Sequence, residues 1–268
     1  MWVICVLVIG LALLYFWCMK GRTRHPGLQE LRKWYYAHRG LHDATKPENS
    51  MAAFRAALEA GYGIELDVHL MKDGNLAVMH DSSLKRTVGK DITIEELTTA
   101  ELSNYQLLGT NETIPLFSQV LDLYQGKAPL IVELKCVDQN FAALCDATCK
   151  MLDGYNGPYC IESFDPRCIR WLKKNRPEII RGQLSENWIK TKSTMPAILK
   201  FLLTNHLCNL LIRPDFIAYK FQDRNNLSTK ICRRIWGVAG VAWTIKTPED
   251  FEIARRENWI PIFEGFIP

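Results

Sequence analysis

Closely paired cysteines are missing from this chain: none of its nine stands three residues from another, and Cys5 and Cys18 fall in an apolar leader, leaving an odd seven beyond it. That spacing excludes the paired ligands of a structural zinc site and speaks against a secreted disulfide framework, so reduced thiols are expected. Cys145 and Cys149 share one face of an expected helix, which by itself carries no metal. An excess of one charge is missing too. With 33 Lys+Arg against 29 Asp+Glu the net charge is +4, too little to argue for a nucleic-acid partner. Low-complexity stretches are absent, and 48% hydrophobic with 23% charged residues is the balance of a globular chain with a real core.

Residues 1–19 hold no charge at all. As a helix they would reach about 28 Å, close to the hydrocarbon thickness of a bilayer. No basic residue precedes the run, and Tyr15-Phe16-Trp17-Cys18 closes it without the small residues of a cleavage site. The segment therefore reads as an uncleaved transmembrane helix rather than a signal peptide. Lys20, Arg22 and Arg24 come immediately after it, so the positive-inside rule puts the remainder on the cytoplasmic side. Residues 20–33 read as a short stalk and 34–268 as one domain.

Beyond the stalk, short apolar runs alternate with helical patterns, the signature of strands joined by crossover helices. Strands are expected near 35–39, 64–70, 76–80, 130–135, 159–164, 179–184, either 208–212 or 216–221, and 239–245, with 260–264 as a closing candidate. Helices are expected over 50–60, 117–124, 139–152, 166–175, 229–236 and 248–258, with Ser50 as a cap and Pro166 and Pro248 at first turns. Residues 82–113 break the alternation as an insertion after the third strand. Length and strand count fit a (β/α)8 TIM barrel of about 250 residues.

Polar groups at the C-terminal ends of barrel strands are the candidates for chemistry. Glu65 and Asp67, two apart on one strand, face the same side with Cβ atoms about 6.5–7 Å apart. Glu133 on another strand adds a third carboxylate. Such hard oxygen donors favour Mg²⁺ or Ca²⁺ over zinc. Pairing with Arg39 and Lys135 is the structural alternative, but acids flanked by Ile64, Leu66 and Val68 point into the barrel, where burial without a role is costly. His38 and His80 each end a strand and suit acid–base work on a phosphate ester. Arg39 and Lys135 suit its oxygens. His25, His42, His69 and His206 read as packed or solvent-facing, with His69 sharing the face of Asp67.

These residues, in this order, resemble the glycerophosphodiester phosphodiesterase family, and the chain looks like a membrane-anchored bacterial-type member. The resemblance runs through His38-Arg39-Gly40, Pro47-Glu48-Asn49-Ser50, Glu65-Leu66-Asp67, Lys72-Asp73-Gly74, His80-Asp81, Glu133-Leu134-Lys135, Ser163-Phe164 and Trp243-Thr244. It implies His38 and His80 as the acid–base pair, Glu65, Asp67 and Glu133 as ligands of one divalent cation, and Arg39 and Lys135 at the phosphate. Glu48, Asn49 and Trp243 would support the pocket. The implied reaction releases glycerol 3-phosphate and an alcohol from glycerophosphodiesters; lysophospholipids are the alternative substrates, and a binding barrel without catalysis the alternative class. The chain departs from the family at Phe263-Glu264-Gly265-Phe266-Ile267-Pro268, and residues 185–215, with Asp215, match it poorly.

Overall fold

The computed structural model describes residues 2–268. Its strands are β1 (Tyr36–His38), β2 (Gly63–Leu70), β3 (Leu76–Val78), β4 (Leu130–Leu134), β5 (Tyr159–Ser163), β6 (Arg181–Ser185), β7 (Phe216–Lys220), β8 (Ala239–Ile245) and β9 (Trp259–Phe263). All except β3 run parallel in the order β1-β9-β8-β7-β6-β5-β4-β2, and pairing of β1 with β2 closes them into an eight-stranded barrel. The helices are α1 (Trp2–Cys18), α2 (Leu28–Leu31), α3 (Met51–Glu59), α4 (Lys85–Val88), α5 (Phe117–Tyr124), α6 (Phe141–Leu152), α7 (Pro166–Asn175), α8 (Ala197–Thr204), α9 (Asn209–Ile212), α10 (Leu227–Arg234) and α11 (Pro248–Arg256). The result is consistent with a TIM barrel.

Alternation along β2 shows how the sequence makes this architecture. Ile64, Leu66 and Val68 turn outward into a core shared with Phe54, Phe117 and Leu144, while Glu65 and Asp67 turn inward, 3% and 0% exposed. Caps mark the helix starts. Ser50 accepts from the Ala53 amide, Asp165 from Arg167 and Thr247 from Asp250, each bond satisfying an otherwise orphaned donor.

The expected strand at 76–80 is not a barrel stave. Lys72-Asp73-Gly74 forms a tight reversal in which Met71 and Asn75 bond across the turn and Gly74 sits at φ +84°, whereas a parallel partner needs a crossover of a dozen residues or more. β3 therefore returns antiparallel to β2, and β9, the closing candidate, is the eighth stave. The insertion after β3 holds α4 and two 3₁₀ turns over a separate small core that includes Met71, Leu84, Ile94 and Leu102. Of the two readings near 210, 216–220 is the strand and 209–212 is helix α9.

Residues 20–33, expected as a stalk, lie against the barrel. Arg22 bonds Asp215 through Nε and a terminal nitrogen, both at 2.6 Å, and also the Ile179 carbonyl. Leu28 and Leu31 seal the barrel's N-terminal end together with Tyr36, Ile131, Phe216 and Ile260. Among the described residues no helix is long and apolar enough to cross a membrane. α1 has 17 residues, about 26 Å, and its last turn and the residue after it are taken up by the domain: Tyr15 bonds Asn205, Phe16 packs on Trp236, and Met19 is fully buried. The expected transmembrane span over 1–19, of which Met1 lies outside the described residues, is not supported. All nine cysteines are free thiols.

Candidate active site

Register places the acidic residues in two layers at the C-terminal mouth. His38 of β1 stands level with Glu65, and Asp67 stands level with Glu133, which in turn stands level with Glu162 of β5. One ligand atom each from Glu65, Asp67 and Glu133 lies within 4.8 Å of the others. Lys135, just past β4, reaches back to Asp67 at 2.9 Å and Glu133 at 2.7 Å.

The turn after β1 sets the next group. Arg39 adopts φ +54° and donates its amide to the Glu65 carbonyl. Gly40 comes next at φ +84°, where an added Cβ would lie 2.8–3.0 Å from Ala53, so only glycine lets α3 pack against this turn. Asn49, also left-handed, bonds the Arg39 carbonyl through its amide and Asp67 through its side chain at 2.8 Å. Glu48 accepts from Arg39 at 2.8 Å and from both terminal nitrogens of Arg86.

Each catalytic candidate histidine has one nitrogen committed. His38 Nδ1 lies 2.5 Å from Glu264, leaving Nε2 3.8 Å from Glu65; His80 Nδ1 lies 2.6 Å from Asp81, itself held by Arg86. Burial lowers the pKa of both imidazoles despite these carboxylates.

Electrostatics divides the acids. Burial, then the charges of Asp67 and Glu133, hold Glu65 well above the usual carboxylate range. Burial raises Glu133 to about 7 against the pull of Lys135, and raises Glu162 with help from Glu133. Burial also works against ionising Asp67, but Lys135, His80 and Arg39 hold it below its ordinary value. Four buried carboxylates thus face two cations.

That imbalance suits a divalent cation. Glu65, Asp67 and Glu133 offer hard oxygen donors at ligating separation, and Glu162 leaves a buried oxygen without a partner. The pocket above them holds about 370 Å³ of empty space, lined by His38, Arg39, Glu65, His80, Glu133 and Glu162, with an apolar wall of Phe164, Leu184 and Trp243. Trp243 packs edge-on against Phe164 at 5.5 Å.

All ten expected site residues gather at this mouth, but Lys135 is spent on Asp67 and Glu133 and does not line the pocket. His69 lies in the β2–β3 hairpin against Glu95, and Asp215 sits at the opposite end of the barrel beside Arg22. Sequence reasoning missed Glu162 and Glu264. Glu162 repeats the signal used for Glu133, an acid inside an apolar strand beside Ser163-Phe164. Glu264 had none, because it lies in the stretch where the chain leaves the family pattern.

Comparison with known proteins agrees with this geometry. Over 158 residues the chain is 35% identical to a glycerophosphodiester phosphodiesterase of Caldanaerobacter subterraneus subsp. tengcongensis, covering 55% of this chain and 65% of that one. It is 34% identical over 101 residues to a human lysophospholipase D, covering 33% and 32%. The chain spans about half the length of the curated relatives it matches. The fold is that of an Oleispira antarctica phosphodiesterase solved with the product sn-glycerol-3-phosphate: TM-score 0.68 at 23% identity, over 86% of this chain and 92% of that one. Residues 38–263, running from the first candidate histidine to the last barrel strand, match the Glycerophosphoryl diester phosphodiesterase family, and the chain belongs to it.

Proposed function

We propose that this chain is a divalent-metal-dependent phosphodiesterase that cleaves glycerophosphodiesters to glycerol 3-phosphate and an alcohol. The observation that carries the reading is the buried excess of carboxylate beside two histidines, each with one nitrogen held by an acid.

Glu65, Asp67 and Glu133 would hold Mg²⁺ or Ca²⁺, with Glu162 beside them. A bound divalent cation supplies charge for the phosphoryl oxygens. Arg39, fixed by Glu48, presents its guanidinium to the same oxygens, and Lys135 sets the charge of Asp67 and Glu133 from behind. One imidazole, neutral with its proton on Nδ1, takes the proton of the attacking oxygen at its free Nε2; the other acts as the imidazolium, protonated on both nitrogens, and gives its Nε2 proton to the departing alkoxide. Glu264 and Asp81 accept from the Nδ1–H groups, which orients both rings and fixes their tautomers. Asn49 anchors Asp67, and Trp243 with Phe164 shapes the wall that receives the glycerol or its alcohol.

A lysophospholipase D-type reaction is the second reading. It is favoured by the human relative and by α1, whose apolar residues are exposed on every face, from 83% at Trp2 to 47% at Trp17. Those faces, with Lys20 after them, support attachment to a membrane through α1 with the barrel on the cytoplasmic side. Protease added outside intact cells should then leave the barrel untouched.

The substrate test offers glycerophosphocholine, glycerophosphoethanolamine, glycerophosphoglycerol and a lysophosphatidylcholine side by side. Preferred turnover of the acylated substrate would replace the first reading by the second. Either His38→Ala or His80→Ala should remove turnover of the diester, while one of the two keeps substantial activity on a nitrophenyl ester that needs no leaving-group proton. If both variants stayed within about tenfold of wild type, below the loss typical of acid–base residues, the histidine roles would fall.

A further inference from the structure

A second recess, about 1140 Å³ of empty space, opens away from the catalytic mouth where the ends of α10 and α11 lead into β8 and β9. Arg32, Arg224, Lys230, Arg233, Arg234 and Arg256 line it, against Glu257 as the single carboxylate. Glu257 is already engaged by Arg224 at 3.3 Å and by the Trp259 indole at 3.1 Å. Arg32, Lys230, Arg234 and Arg256 make no ion pair with any described residue.

The recess is built, not merely a solvated basic face. Arg233 stacks 3.5 Å over the Trp259 ring and donates to the Glu257 and Asn258 carbonyls at 2.9 Å, leaving its Nε buried without a partner. Gly240 makes room for it, since a Cβ there would lie 2.3 Å from that Nε. Burial, with repulsion from Arg32 and Arg234 against the pull of Glu257, lowers Arg233 to about 10. Concentrating like charge in this way destabilises a fold unless an anion offsets it, and clustered guanidinium groups match the paired oxygens of phosphate.

We infer that this recess is a second anion site, separate from the catalytic mouth, that takes a phosphate-bearing group. Such a group is presented either by a soluble phosphate or by an anionic lipid headgroup, and the second source has a structural reason: Trp236, two residues beyond Arg234, donates its indole N–H to the Phe16 carbonyl of α1 at 2.8 Å. The site stands beside the helix that would lie in a bilayer. The inference does not depend on the hydrolase reading, because none of its residues belongs to that mouth.

The test compares the full chain in detergent with Arg32→Gln/Arg234→Gln/Arg256→Gln, three exposed positions whose loss leaves the core intact, and with a charge-matched control, Lys72→Gln/Lys90→Gln/Lys127→Gln. Inorganic pyrophosphate is titrated calorimetrically, and flotation is measured with phosphatidylcholine vesicles, plain or doped with phosphatidylglycerol. The arginine variant should bind at least one probe roughly tenfold more weakly, from the loss of clustered surface cations, while the lysine control binds as wild type. Loss with pyrophosphate identifies a soluble-phosphate site; loss on doped vesicles alone identifies a headgroup site. Unchanged binding of both probes, or equal loss in the lysine control, overturns the inference.

Discussion

At the residue scale, the site is governed by who shares a proton or a charge with whom. Glu264 lies 2.5 Å from His38 Nδ1 and is held in turn by Lys246 at 2.7 Å, and the His38 contact leads in keeping its carboxyl well below the usual range. Glu264→Gln should lower kcat by about 10²-fold with little change in KM, as expected when an imidazole loses the group that fixes its tautomer, and Glu264→Asp should recover part of it. A rise in KM alone would make Glu264 a binding residue instead. Glu162 carries a prediction of opposite sign in two states. Glu162→Gln removes an unpaired buried acid, so the metal-free protein should melt at higher temperature, while the affinity for Mg²⁺ or Ca²⁺ falls roughly 10–100-fold, as for outer-shell partners. Melting curves in chelator and calorimetric metal titration read the two effects separately.

At the scale of elements, most of the barrel was legible because outward apolar and inward acidic residues alternate in β2 and because cap residues stand where helices begin. α5 and α7 occupy the spans expected for them. The failed strand expectation has a physical reason. The run at 76–80 has the composition of a stave, and only the length of the Lys72-Asp73-Gly74 turn forbids it. The strand near 210 was left open between 208–212 and 216–221, and the second is the strand; periodicity over so few residues does not separate a buried strand from a short helix. Residues 20–33 were misjudged because Arg22 and Arg24 resemble a membrane flank, while the partner of Arg22, Asp215, lies far off in sequence. Arg22→Ala should cost about 3 kcal/mol, since it removes the paired cation from Asp215, 0% exposed, and leaves that carboxylate only the Arg181 amide at 3.0 Å as a direct partner; urea unfolding that shifts by less than a third of this would restore the reading of a loose stalk.

At the scale of the whole molecule, stability and catalysis use burial in opposite ways. His206 is a structural histidine: its Nε2 lies 2.8 Å from Thr229, its ring 5.0 Å from Tyr219, and burial pushes it down to about 3. The unfolded chain takes up this proton near the ordinary histidine pKa and the folded chain only near 3, so the stability it confers is complete above about pH 6.5 and is lost as pH falls, by roughly 2 kcal/mol at pH 5. His206→Gln should flatten the difference between urea unfolding at pH 7 and pH 5; an unchanged slope would mean that His206 does not hold the neutral form. The mouth of the barrel instead keeps buried charge for use. Its histidines, Glu65, Asp67 and Glu133 were readable because they end or occupy strands in the family's order; Glu162 carried the same strand signal as Glu133 and was passed over, whereas Glu264 needed the fold to bring the chain after β9 beside His38. The most direct test of that acidic centre is phosphorus NMR of glycerophosphocholine turnover by protein stripped of metal, with and without added Mg²⁺ or Ca²⁺, alongside Glu65→Gln. Glycerol 3-phosphate should form only with added metal and fail to form with Glu65→Gln; undiminished turnover by metal-free protein, or phosphocholine as the product, would contradict it.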